Sequence, residues 1–137
     1  MAPTGRVRVL HVCTIALTAH AFIAPLAKYL HHRGYEVAIA CSSGVQPDAP
    51  DDLRCREVSG ARMYHVPIAR TVRPVQDLVA ILKLWGLIRR IRPHIVHTQT
   101  SKAGVIGRLA ARLAGTPIVI HTAHAFPFHS HLPPAVH

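Results

Sequence analysis

The chain has 137 residues, half of them hydrophobic, and carries 16 Lys and Arg against six acidic residues, for a formal charge of +10. That length and apolar fraction suit one domain with a real core, and the chain lacks any uninterrupted apolar run of about 18 residues, which argues against a membrane-spanning helix. Six acids without a convincing cluster also argue against a self-sufficient acid/base enzyme.

Val7 to Cys13 is a short apolar run that predicts the first strand. Arg6 and Arg8 before it and the small residues of Ala19 to Ala24 after it have the outline of a signal peptide. However, His11, Thr14, Thr18 and His20 interrupt the apolar stretch, so a mature strand is the better reading. Ala21 to His32 shows helical spacing through Phe22, Ile23, Leu26, Tyr29 and Leu30, and ends at Gly34, where a left-handed cap is expected. Tyr35 to Cys41 predicts the second strand, Ser42 to Asp52 a loop that leads to a short helix near Asp51 to Arg56, and Arg62 to Val66 a brief third strand.

From Asp77 the residues Leu78, Ile81, Leu82, Trp85, Ile88 and Ile91 recur at three- and four-residue intervals, predicting a helix that stops before Pro93. His94 to Thr98 is the fourth strand. Lys102 to Ala114 is a helix closed by Gly115 and Pro117, and Pro117 to Thr122 is the fifth strand. Apolar strands alternating with helices predict an α/β class: a Rossmann-like, doubly wound parallel sheet of about five strands, forming one domain over residues 1–137. In such sheets ligands bind beyond the carboxyl ends of the strands. This singles out Thr14 to His20, Cys41 to Gln46, Thr98 to Lys102 and Thr122 to His129.

Two glycines, Gly104 and Gly107, sit inside the first turns of the last helix, where each costs roughly 1 kcal/mol relative to alanine. Two readings stand. Missing side chains would let the helix start lie close to the sheet, with Ile106, Ala110 and Leu113 also facing inward. The same close approach would aim free N–H groups and the positive dipole end at a ligand's phosphate or hydroxyls, beside Thr98, Thr100, Ser101 and Lys102.

Neither a Walker-type phosphate loop nor GxGxxG is present, and the first loop, TIALTAHAF, has no glycine to let its backbone approach a pyrophosphate. No cofactor is expected. The twelve histidines include neighbours such as His121 and His124, but no Cys or carboxylate stands near to complete a metal set. His11 and His97 read as strand residues with satisfied ring nitrogens. His124, just past the fifth strand, could hydrogen-bond or deprotonate a hydroxyl near neutral pH, or simply face water. The odd count of Cys13, Cys41 and Cys55, without CxxC, argues for a reducing compartment.

The basic balance points to anionic partners. With only seven aromatics, no stacking platform and no helix-turn-helix or zinc pattern, nucleic acid is the least supported. The arginines near the end of the Asp77 to Arg92 helix are ordinary complements to the dipole, or else Trp85, Arg89, Arg90 and Arg92 dock on an anionic membrane surface.

The segment VHTQTSKAGVIGRLAARLAGTPIVIHTAHAFPFH, together with the opening VRVLHVCTIALTAHAFIAPLAKYLHHRGYEVAIACSSG and MYHVPIARTVRPVQDLVAILKLWGLIRRIRPHIVH, resembles the N-terminal domain of family 4 glycosyltransferases of the GT-B fold, bacterial surface-polysaccharide type. Gln99, Ser101 and Ala125 stand where that family usually has histidine, proline and glycine. The resemblance implies the acceptor-side half of a transferase that moves a sugar from a nucleotide-sugar to a polysaccharide or lipid-linked acceptor. The donor domain would be absent and the acceptor domain incomplete at its C-terminal end. It implies His124 as the catalytic residue and His20, Thr98, Thr100, Ser101, Lys102 and Gly104 at the substrate. It implies a cytoplasmic place, peripheral on the inner membrane face, and a chain inactive alone; a separate donor-domain protein is the partner in the split-enzyme alternative. The rival expectations are a non-catalytic module binding a glycan or lipid-linked phosphate, a subunit of a split glycosyltransferase, and a degenerate fragment.

Overall fold

The computed structural model describes residues 5–15, 19–42, 57–58, 60–69 and 71–123, without the side chains of residues 15, 20, 57 and 58. Among them one sheet contains β1 (Arg8–Ile15), β2 (Glu36–Ser42), β3 (Glu57–Val58), β4 (Ala61–His65), β5 (Ile95–Gln99) and β6 (Ile118–Thr122). Helix α1 (Ala24–His32) follows a π-helical turn at Ala19–Ile23; α2 (Pro74–Ile91) and α3 (Ser101–Ala114) complete the set. The five expected strands are present and parallel. The sixth, two-residue β3, pairs antiparallel with β4 at the edge and is too short to leave a periodic signal. The short helix expected near Asp51 to Arg56 lies outside the described residues.

Across the sheet the order is β3-β4-β2-β1-β5-β6. The chain winds outward from β1 to β2 and β4, then crosses back through α2 to lay β5 on the other side of β1. The topology therefore reverses between β1 and β5, which places the ligand crevice beyond their carboxyl ends.

Local chemistry explains the helix limits. Helix α2 starts three residues earlier than its apolar spacing suggests, because Pro74 at the first position has no N–H to lose and Asp77 Oδ2 accepts the Arg73 backbone N–H at 3.2 Å. It ends at Arg92, held left-handed at φ 54°. Arg8 Nε donates to the Arg92 carbonyl at 3.0 Å, and Pro93 bars a further turn. Helix α3 closes at Gly115 with φ 75°, as its sequence predicts.

Two apolar layers flank the sheet. Leu10, Val12 and Val96 pack with Leu84 and Ile88 of α2 and Ile106 of α3, while Cys13 and Ile39 meet Ile23 and Ala27 on the α1 side. Complete burial of Leu84 or Ile106 contributes about 2 to 3 kcal/mol each. β6 departs from the expectation of strands covered on both faces. Among the described residues it is an edge, and Ile118 and Ile120 remain 48% and 45% exposed.

The two glycines of α3 are explained by close approach. A Cβ on Gly107 would collide with the Thr98 methyl and lie 3.4 Å from Val12 Cγ1, and one on Gly104 would stand 2.5 Å from His121 Cε1. The helix start is pressed onto β5 and β6, a packing that alanine cannot reproduce without displacement. Ile106 and Ala110 face inward as expected. Leu113 does not: it is exposed, and Ala103 and Ala111 fill the inward positions.

Candidate functional site

The crevice is built where β1 and β5 end. Between Val12 and Ile15 the register of β1 against β2 slips, three residues of β1 spanning two of β2, which is a bulge that turns the strand's end. The bulge carries buried Thr14, whose Oγ1 lies 2.7 Å from Thr100 Oγ1 at the start of α3. One hydroxyl–hydroxyl bond thus ties the two strand ends across the switch point.

Thr100 is itself unusual. Its φ of 69° with ψ of 155° falls where a residue with a Cβ is strained by about 1 to 3 kcal/mol. The conformation is held by the Thr14 bond and by the Gly104 N–H, which donates to the Thr100 carbonyl at 2.9 Å. Its consequence is local: Thr100 gives α3 no side-chain cap and the helix's own first turn holds no acid, so among the described residues its positive end at the switch point has no cap from within the helix.

The residues singled out from sequence take different places. Ser101 is exposed at the helix start. Lys102 lies beside it, but its ammonium is already engaged: Nζ is 2.7 Å from Asp77 Oδ2 and donates to the Thr71 carbonyl at 2.9 Å. The Lys102 hydrogen bond, aided by the Arg73 N–H, holds the Asp77 carboxyl below the usual range although partial desolvation opposes it. Lys102 therefore fastens the start of α2 to the start of α3.

Thr98 is fully buried, donates from Oγ1 to the Ile120 carbonyl at 3.3 Å and lies 2.9 Å from His121 Nδ1. Thr98, Gly104 and His121 form the packed floor that sets the height of the helix start, one layer below the crevice. The backbone of His20 lies in the π-helical turn after β1, on the α1 side. His124 lies outside the described residues.

Sequence reasoning reached Thr14 only as the first residue of the Thr14 to His20 segment, without its bond to Thr100, and missed Asp77. A signal for Asp77 was available, because it is the one acid after Glu57 in a long basic stretch. His11 corrects another expectation. Its ring is buried with neither nitrogen hydrogen-bonded to a described residue, 5.1 Å from the His97 ring, and burial followed by the His97 charge lowers its pKa to about 3. His97 does find a partner, Thr122 Oγ1 at 2.7 Å.

Among the described residues no group of three or more His, Cys, Asp or Glu could hold a metal ion. A groove of about 560 Å³, lined by Arg6, Arg8, Glu36, Arg62 and Arg90, lies at the opposite, amino end of the strands. The topological switch decides in favour of the carboxyl end.

The glycosyl transferase 4-like domain matches residues 18–137, most of the chain. The chain belongs to that family. A relative of this glycosyltransferase-family chain, the UDP-Gal:alpha-D-GlcNAc-diphosphoundecaprenol alpha-1,3-galactosyltransferase of Escherichia coli, is 32% identical over 130 residues, which cover 92% of this chain and 32% of the relative. Solved structures of a glycosyltransferase from Rickettsia africae and of MurG from Acinetobacter baumannii superpose with TM-scores of 0.65 and 0.61 at 16% and 21% identity. They cover 91% and 84% of this chain and 32% and 35% of theirs. These likenesses establish the fold as Rossmann-like α/β of the GT-B type. The chain spans about a third of the length of the relatives it matches.

Proposed function

We propose that the chain is the acceptor-side part of a glycosyltransferase that moves a sugar from a nucleotide-sugar to a lipid-linked or polysaccharide acceptor. All 137 residues belong to that acceptor domain, and the parts that hold the nucleotide diphosphate lie outside them. The single observation that carries the reading is the uncapped, positively polarised start of α3 at the β1–β5 switch point, in a chain of this family. The E. coli relative, by its name, acts on a diphosphate-linked acceptor, and a diphosphate suits such a helix terminus.

In this reading the Thr100 and Ser101 hydroxyls, the N–H groups of the first turn and His20 bind acceptor oxygens. Thr98 and Gly104 are positioning residues. Lys102 acts through its ion pair with Asp77, keeping the two helix starts together and lending the crevice a partly neutralised positive charge. His124 orients the acceptor hydroxyl or accepts its proton through its imidazole. The chain works from the cytoplasmic side, peripheral to the inner membrane face, together with a donor-binding domain in the same or a separate protein.

Isothermal titration tests the reading. A GlcNAc-diphosphate carrying a short prenyl chain should bind the 137-residue chain, and UDP-galactose should not. Tight UDP-galactose binding without acceptor binding would overturn it, as would glycosyl transfer by this chain alone.

A further inference from the structure

Cys13 and Cys41 are 28 positions apart in a chain without a CxxC pattern, and the fold brings them together. Val12 of β1 is in register with Ala40 of β2, so the next residues, Cys13 and Cys41, are neighbours on adjacent parallel strands. Both turn to the α1 side, where they share one buried cluster with Ala19, Ile23 and Ile39. Adjacent strands lie about 4.8 Å apart, inside the Cα separation of about 4.4 to 6.8 Å that a disulfide spans. No disulfide joins the two, and the Cys13 thiol instead donates to Cys41 Sγ. That bond, with burial, holds the Cys13 thiol well above its usual range; the same bond draws the Cys41 thiol below it although burial opposes.

The place of the pair gives it a consequence at the crevice. Between the registered pairs Val12–Ala40 and Ile15–Ser42, Cys13 and Thr14 together face the single residue Cys41, and this is the bulge that turns the end of β1. Thr14 is the residue whose hydroxyl lies 2.7 Å from Thr100 Oγ1. A covalent link at Cys13 therefore acts on the residue next to the tie between β1 and α3. Access comes from the same end of the sheet: Cys41 is 4% exposed near the carboxyl end of β2, and His65, in register with it on β4, is exposed.

We propose that Cys13 and Cys41 form a reversible disulfide site that a hydroperoxide closes, and that closing it loosens the Thr14–Thr100 tie and weakens acceptor binding. The Cys41 thiolate attacks one oxygen of hydrogen peroxide, the O–O bond breaks, and Cys41 becomes a sulfenic acid. The departing hydroxide takes up the proton that left the Cys41 thiol. The Cys13 sulfur then attacks the Cys41 sulfur, the S–O bond breaks as the S–S bond forms, and the sulfenic oxygen leaves as a second water with the Cys13 proton. One peroxide is thus reduced to two waters while two thiols are oxidised to one disulfide, and a dithiol reductant reverses the change. The effect on binding rests on the acceptor-side reading; the disulfide itself does not.

Cys55→Ser leaves the pair as the only cysteines of the chain. This variant, treated with hydrogen peroxide and digested without reductant, should yield a peptide linked through Cys13 and Cys41, and dithiothreitol should restore both thiols. Adding Cys13→Ser should leave a sulfenic acid on Cys41 that dimedone traps, whereas adding Cys41→Ser should leave Cys13 unmodified. In the ¹⁵N-labelled variant, oxidation should shift the Thr14 and Thr100 amides, a readout that needs no acceptor. Binding of the prenyl GlcNAc-diphosphate should weaken by about fivefold, the worth of one neutral hydrogen bond, and recover on reduction. The proposal is overturned if both thiols survive peroxide in the folded chain, if sulfenic acid accumulates on Cys41 without a disulfide, or if the disulfide forms and the Thr14 and Thr100 amides stay in place. Equal acceptor binding in the two states overturns the control of the crevice. Shifted amides with no acceptor binding in either state remove the acceptor-side reading and leave the disulfide site standing.

Discussion

The two faces of the sheet are built by different means. On the α2–α3 side the buried cluster runs without a break from β2 through β1 to β5, and α3 is drawn so close that glycine is required twice. On the α1 side the cover extends over β4, β2 and β1 only. Among the described residues, β5 and β6 show there a half-exposed His97 and exposed Ile118 and Ile120, and His11 lies buried without a hydrogen-bond partner. The first face is covered over β2, β1 and β5, with Val119 of β6 still 39% exposed. Among the described residues the second leaves Ile118 and Ile120 uncovered and the His11 ring without a hydrogen-bond partner, so it is the more open of the two faces.

The largest expected effect breaks the closed face. Gly107→Ala forces a methyl into the Thr98 side chain, fixed in a strand, and should destabilise the fold by about 3 kcal/mol, measurable by urea denaturation. Gly104→Ala should cost somewhat less, because the His121 ring it meets is half-buried and can shift.

His11 probes the open face. Because its pKa in the folded chain is near 3 and its ordinary value 6.5, the folded state binds fewer protons than the unfolded one. Its contribution is therefore fully present above pH 6.5 and lost as pH falls from 6.5 toward 3, with a slope of about 1 kcal/mol per pH unit. His11→Leu should flatten that part of the stability–pH profile and leave the remainder, including the Asp77 loss at lower pH, in place. An unchanged profile would mean that the ring is solvated in the native state.

A smaller effect is expected at the crevice. Thr100→Gly relieves the backbone strain but removes the hydroxyl held by Thr14, so the two should nearly cancel, within about 1 kcal/mol, while acceptor binding weakens. The smallest change sharpens the glycine argument. Gly86 lies in mid-α2, and a methyl added there would meet nothing within 4 Å. Gly86→Ala should therefore stabilise the fold by about 0.5 to 1 kcal/mol in the same urea denaturation, opposite in sign to Gly107→Ala.

What could be read from sequence follows from range. The five parallel strands and three helices were legible because each depends on local periodicity and on stop signals such as Gly34, Pro93 and Gly115. The close approach at Gly104 and Gly107 was legible as a requirement, though not its partners, since Thr98 and His121 meet α3 only through the sheet. Asp77 and Lys102 are separated by 25 residues and pair through the packing of two helices, which no local pattern encodes. Leu113 was misplaced because three- and four-residue spacing defines a stripe but not its edge. His11 was misread because alternation places a side chain on a face without saying what covers that face.

The most direct test of the acceptor-side crevice is an amide chemical-shift map of the ¹⁵N-labelled chain titrated with a soluble GlcNAc-diphosphate. Perturbations should concentrate at Thr14, Thr100, Ser101 and Lys102, at the carboxyl ends of β1 and β5. Perturbations concentrated instead at Arg6, Arg8, Arg62 and Arg90, in the basic groove at the amino end of the strands, would contradict it.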